Sequence, residues 1–193
     1  MIALTGMEIS MVFNLPVLLT WLRIAFIPLL VFLFYLDKPW AALAAATVFG
    51  VAGLTDWADG YLARLWQQES RFGAFLDPVA DKLIVAVALI LVVEREGAMW
   101  MTLAAMIIIG REIVISALRE WMAEVGARGK VAVAFIGKLK TAIQIIALIF
   151  LLYNQDLWGM PLREWGLWAL AVATVLTVLS MVQYLKGAFS AAV

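Results

Sequence analysis

Six long apolar runs, separated by short polar breaks, make up most of this chain. They run from about Val17 to Tyr35, Trp40 to Ala63, Leu76 to Val93 and Met99 to Val125, then from beyond Lys140 to Tyr153, and from Trp165 to Tyr184. The first is long enough to cross a hydrocarbon core of roughly 30 Å as a helix. The pattern predicts an all-α, polytopic membrane protein with six transmembrane helices. The breaks carry turn and charge signals: Asp37-Lys38-Pro39, a polar loop over 65–72, Glu94-Arg95-Glu96-Gly97, a basic connection from Gly126 to Lys140, and Asn154 to Glu164 with Gly159 and Pro161. Pro28 is placed to kink the first helix. Pro78 is expected in the first turn of the third, where amides have no intrahelical partner.

Composition agrees with this pattern. Of the 193 residues, 66% are hydrophobic and 15% charged, whereas soluble domains are nearer half and a quarter. No separate soluble domain is expected. Residues 1–13 read as a leader of unassigned role; they lack a basic n-region, and Glu8 interrupts the only candidate signal. Residues 14–193 read as a single six-helix transmembrane catalytic domain. Net charge is zero, so nucleic acid is not an expected partner. Membrane lipids are.

Six spans put both termini on one side. Alternate connections give that side Arg64, Arg71, Arg128, Lys130, Lys138, Lys140 and Lys186, against Lys38, Arg95 and Arg163 on the other. The richer side is expected to face the cytoplasm. Trp40, Trp100, Trp158 and Trp165 lie near span ends, where their rings suit the interface.

The chemistry concentrates between Asp56 and Asp81. Positions 56, 59, 60, 63 and 64 share one helical face, carrying two carboxylates, two small residues and a guanidinium. Positions 73, 77 and 81 share another. Side by side, the two helices would converge four carboxylates on a floor of glycine and alanine. Acids in an apolar bundle require a cation. The alternative is that Asp56 and Asp59 cap helices or pair with Arg64 and Lys82, with Asp77 an N-cap before Pro78.

The chain has no histidine and no cysteine, so a metal must be held by oxygen. Four carboxylates suit Mg²⁺ or Mn²⁺, and can hold two ions roughly 3.5–4 Å apart for displacement at phosphorus. Gly60 and Gly73 leave room for a ligand against backbone. Arg64 suits a phosphate, and Ser70 offers a hydroxyl.

The spacing Asp-x2-Asp-Gly-x2-Ala-Arg-x8-Gly-x3-Asp-x3-Asp is also the signature of the CDP-alcohol phosphotransferase family, which this chain resembles. The resemblance extends to Asn14-Leu15-Pro16 with Leu19-Thr20 and Arg23, to Arg111-Glu112 and Ser116 to Glu120, and to Gly137 to Thr141. These look like the branch that makes phosphatidylglycerophosphate. The resemblance implies a six-helix inner-membrane enzyme of bacteria, typically a homodimer. It would take CDP-diacylglycerol and sn-glycerol 3-phosphate and release CMP. It further implies that Asp56, Asp59, Asp77 and Asp81 bind the two metals, with Asp81 also the proton acceptor. Asn14, Thr20, Gly60, Arg64, Ser70 and Gly73 would line the CDP-diacylglycerol pocket.

Basic residues beyond the motif are candidates for the acceptor's phosphate. Arg111 and Arg119 share a face of the fourth span, about 12 Å apart along it, and guanidinium forks suit a phosphate. Pairing with Glu112 or Glu120, or snorkelling, is the alternative; Glu112 reads as a positioning partner rather than a base. Lys138 shares a stripe with Thr141, Ala142 and Ile145 and is expected to face inward. Lys140, about 200° away around the helix, reads as a surface or topology charge and the weakest member of the set. Arg23 either pairs with an acid of another span or reaches the interface. Rival readings are another acceptor (inositol phosphate, serine or a phospholipid) and, outside the family, a divalent-cation transporter.

Overall fold

The computed structural model describes residues 15–66, 71–124 and 135–192; the side chains of 56–66, 71–75, 77, 119 and 138 are among those outside the description. Six α-helices follow in order: α1 Leu15–Tyr35, α2 Ala41–Trp66, α3 Arg71–Glu96, α4 Met99–Glu124, α5 Phe135–Tyr153 and α6 Leu162–Ala192. Among the described residues the only β pairing is an isolated bridge between Leu157 and Met160.

Three stretches are long and apolar enough to cross a bilayer: Leu18–Tyr35, Met99–Met122 and Leu162–Lys186. The other helices carry shorter apolar stretches, such as Ala41–Thr55 and Leu139–Tyr153. Acids and lysines inside α2, α3 and α5 interrupt them. Large side chains on the outside are apolar, among them Trp21, Leu29, Phe32, Leu54, Ile90, Met106 and Val175. Such a surface suits lipid rather than water. Trp40, Trp100, Trp158 and Trp165 are all exposed at helix ends, as interfacial anchoring requires.

The core is built from leucine, isoleucine and alanine. Leu30, Phe49, Ala88, Leu89, Ile108, Leu148 and Leu151 belong to one buried cluster that spans α1 to α5 and includes Leu170 of α6. Met101 is fully buried within it. Helix α5 packs on α2 and on α6. At α5–α6 the approach is tight: a Cβ at Gly166 would lie 2.9 Å from Leu151 Cγ and 3.1 Å from the Ala147 carbonyl oxygen.

Helix ends follow ordinary chemistry. Gly97 has φ 63°, and its N–H donates to the Val93 carbonyl at 3.0 Å, a left-handed C-terminal stop. Asn154, with φ 51°, ends α5 the same way, donating to Phe150 O at 2.9 Å. Arg95 caps the same end of α5. Its guanidinium donates to the Leu151 and Leu152 carbonyls and lies 5.2 Å from the Phe34 ring centroid. Beside it, Tyr35 donates to Glu94 and Arg163 pairs with Glu96. These contacts tie α1, α3, α5 and α6 together at one end of the bundle.

Two helix starts differ from the expected ones. Helix α3 begins at Arg71, so Pro78 sits in its interior rather than its first turn, and the Ala74 carbonyl loses its helical partner. Asp77 is likewise interior to α3, and an interior residue is not an N-cap. Asp56 and Asp59 lie in the second half of α2, which removes capping for them too. Helix α5 begins at Phe135, so Lys138 and Lys140 belong to a helix rather than to a connection. Polar residues at a helix's first turn do not break it, which is why the apolar run marked its start too late.

Candidate active site

Arg23 decides the chemistry at the other end of the bundle. It is 1% exposed, on α1, and its Nη1 pairs with Asp81 Oδ1 of α3. An isolated guanidinium in an apolar bundle is costly, and a carboxylate partner offsets that cost. Thr20, three residues earlier on the same helical face, is fully buried. Of the two alternatives for Arg23, pairing with an acid of another span is the one observed.

Asp81 opens onto a cavity of about 330 Å³. Helices α1 to α5 all contribute to its wall, including Arg23, Gly53, Lys82, Glu112, Thr141 and Gln144. Small residues of α2, Ala52 and Gly53, supply part of the opposite side, where bulkier side chains would fill the space.

A second ionic cluster stands behind this wall. Arg111 Nη1 and Lys140 Nζ both donate to Glu112 Oε1, at 2.9 and 2.6 Å. Arg111 Nη2 also reaches Ser180 Oγ at 3.4 Å, and its guanidinium carbon lies 5.6 Å from the Tyr184 ring centroid. The cluster joins α4, α5 and α6. Arg111 and Lys140 are both buried, so two cations share one carboxylate, and this cluster of described residues carries an excess positive charge. A multiply charged anion is the complement of such a cluster.

Lys140 is thereby corrected. It is fully buried, not a surface charge. Its stripe on α5 continues through the buried residues Gly137, Gln144, Ala147, Leu148 and Leu151. Of the stripe neighbours of Lys138, Thr141 and Ile145 line the cavity and Ala142 is exposed; the Lys138 side chain lies outside the described residues.

Residues 13–179 match the sequence pattern of CDP-alcohol phosphatidyltransferases. The chain belongs to that family. It is 53% identical over 178 residues to the CDP-diacylglycerol–glycerol-3-phosphate 3-phosphatidyltransferase of Escherichia coli, an overlap of 92% of this chain and 96% of the relative. Proteins of the same name from Shigella flexneri serotype 5b and Shigella sonnei align with the same identity and coverage. Membership makes this chain a transferase, and the cation-transporter alternative falls away.

The described residues of the family motif lie on α2 and α3, which touch each other. The described part of the site holds one of its four aspartates, Asp81. The side chains of Asp56, Asp59 and Asp77, with Gly60, Arg64 and Gly73, lie outside the described residues, as do Asn14 and Ser70 altogether. Among the described residues there is accordingly no group of three acids fit to hold a metal. The donor chemistry fits a hard divalent ion: Asp81 presents carboxylate oxygen at a cavity, and the chain offers no imidazole or thiolate. Arg119 and Lys138 have side chains outside the description as well.

Two features escaped the sequence. One is the partner of Arg23. The other is Gln144, a buried amide in the cavity wall. A polar residue inside the apolar run Ile143 to Tyr153 was the available signal, since intramembrane polar groups are costly without a task.

Proposed function

We propose that this protein transfers the phosphatidyl group of CDP-diacylglycerol to sn-glycerol 3-phosphate, releasing CMP and phosphatidylglycerophosphate. The identity of 53% across nearly the whole of both chains, with relatives bearing that activity in their name, carries the reading. The cavity that brings Asp81 together with Glu112, the anchor of Arg111 and Lys140, supports it.

The glycerol hydroxyl attacks the phosphorus that bears the diacylglycerol. The new P–O bond forms as the bond to the CMP oxygen breaks, and the hydroxyl proton passes to the Asp81 carboxylate. Asp56, Asp59, Asp77 and Asp81 would hold two divalent ions, Mg²⁺ or Mn²⁺, which supply charge neutralisation to the pyrophosphate. Arg23 holds the Asp81 carboxylate in place. Asn14, Thr20, Gly60, Arg64, Ser70 and Gly73 line the donor's side. Arg111 and Lys140, with Arg119 and Lys138, attract the acceptor's phosphate, and Glu112 orients the first two.

All six helices cross the membrane in this reading, with the site end and both termini on the cytoplasmic side of a bacterial inner membrane. The excess of Lys and Arg at that end supports the orientation. The protein works as a homodimer, a property taken from the family likeness.

Purified protein given CDP-diacylglycerol and one acceptor at a time tests the proposal. Glycerol 3-phosphate is expected to support CMP release at least tenfold faster than serine, inositol phosphate or phosphatidylglycerol. A faster rate with any of those three assigns a different acceptor.

A further inference from the structure

Gln144 stands out among the polar side chains of the bundle. The residue is 3% exposed, and its Oε1 has no hydrogen-bond partner among the described residues. Buried amides are nearly always bonded, because dehydration without a replacement partner is costly. Gln144 also lines the cavity onto which Asp81 opens. An amide whose oxygen is left unsatisfied, on a residue that lines a reaction cavity, is a candidate acceptor for a ligand's O–H.

The surroundings narrow down which ligand. Gln144 follows Lys140 by four residues, one turn deeper along the buried stripe of α5. Lys140 is held by Glu112, which lines the same cavity. Arg111 and Lys140 stand behind Glu112, and Glu112 shares the cavity wall with Gln144 and Asp81. A small acceptor with a phosphate at one end and a reacting hydroxyl at the other spans that wall. An additional hydroxyl between the two would meet Gln144. Among the other described wall residues near it, Phe49, Ala52, Gly53 and Ile145 are apolar or bare, and the Thr141 hydroxyl is engaged with the Gly137 carbonyl at 3.0 Å.

We infer that Gln144 is a specificity-determining residue that accepts a hydrogen bond from the non-reacting hydroxyl of a polyol-phosphate acceptor. The inference rests on the acceptor reading above and deepens it. In glycerol 3-phosphate the group concerned is the 2-hydroxyl. Gln144 selects acceptors with a hydroxyl there over simple alkyl phosphates, because an acceptor lacking it leaves the amide unbonded.

The test compares glycerol 3-phosphate with 3-hydroxypropyl phosphate, which lacks only the 2-hydroxyl. CMP release is followed at saturating CDP-diacylglycerol for the wild type and for Gln144→Met, which keeps the volume and removes the amide. Wild type is expected to favour glycerol 3-phosphate in kcat/KM by about tenfold, the scale of one hydrogen bond to a buried amide. Gln144→Met is expected to lose about that factor with glycerol 3-phosphate, to lose nothing with the analogue, and to keep its KM for CDP-diacylglycerol. Gln144→Asn, which shortens the reach of the amide, gives the same selective loss and serves where Gln144→Met does not fold. Equal losses with both acceptors, or no loss with either, overturn the inference while leaving the proposed reaction standing. A wild type inactive with both acceptors overturns the two together.

Discussion

Arg23 and Asp81 stand 58 positions apart in sequence and form an ion pair in the bundle, with the arginine 1% and the aspartate 34% exposed. The pair joins α1 to α3 at the level of the cavity. It gives the most polar residue of the first helix a reason to be there, and it fixes the carboxylate to which the reaction's proton is assigned.

Removing one partner of such a pair takes a close counter-charge from the other. Arg23→Met is expected to destabilise the protein by about 3 kcal/mol, the lower end of the range for buried pairs because Asp81 is partly open. The Arg23→Met, Asp81→Asn double variant should recover much of that loss. Thermal unfolding in detergent for the two single variants and the double measures the coupling. Additive losses would mean that the two groups do not interact.

Glu112 holds two buried cations on one oxygen. Glu112→Ala should therefore cost more stability than Lys140→Met, since it strands two buried cations, whereas loss of Lys140 leaves Glu112 paired with Arg111. Lys140→Met should raise the KM for glycerol 3-phosphate by about tenfold, the loss of one charge-assisted contact, with the KM for CDP-diacylglycerol unchanged. Parallel increases for both substrates would place Lys140 in the scaffold only.

The opposite end of the bundle separates stability from activity. Arg95 lies fourteen residues along α3 from Asp81, about 21 Å, and bonds the last carbonyls of α5. Arg95→Met should lower stability by about 1.5–3 kcal/mol with kcat unchanged at a temperature where the protein stays folded. A fall in kcat of tenfold or more under those conditions would show that the far end communicates with the site.

Gly166 sets the distance between α5 and α6. The nearest atoms to a Cβ there include a backbone oxygen, which cannot rotate away. Gly166→Ala is expected to cost about 1–3 kcal/mol by overpacking, read as a lower unfolding midpoint. An unchanged midpoint would mean that the helices part without penalty.

Much of this was legible in the sequence, and the illegible part has a physical cause. Fixed spacing pointed to four aspartates, since acids at helical intervals stand out in an apolar chain, and Asp81 is the one the described residues place at the cavity. The six helices followed from run length. The inner face of α5 did not. On α5 the buried stripe of Lys140, Gln144, Ala147 and Leu148 lies beside the cavity-lining Thr141 and Ile145, and the Lys138 side chain lies outside the described residues. In lipid both faces of a helix are apolar, so hydrophobicity does not tell inside from outside. A cue was present: Gly137, Lys140, Gln144 and Ala147 recur at intervals of three and four, and join two polar groups to two small ones. Arg23 was visibly out of place, but only the folded chain reveals a partner on another helix. The starts of α3 and α5 lie earlier than the apolar runs because each first turn holds a glycine and a charged residue, Arg71 and Gly73 in α3 and Gly137 and Lys138 in α5.

The most direct measurement is CMP release from CDP-diacylglycerol and glycerol 3-phosphate by wild type and Asp81→Asn, each with Mg²⁺, with Mn²⁺ and with chelator. Wild type should turn over only with a divalent ion, and Asp81→Asn should lose at least about a hundredfold, the lower bound for a general base, while still binding CDP-diacylglycerol. Turnover by wild type in chelator, or near-normal turnover by folded Asp81→Asn, would contradict a metal-dependent transfer centred on this aspartate.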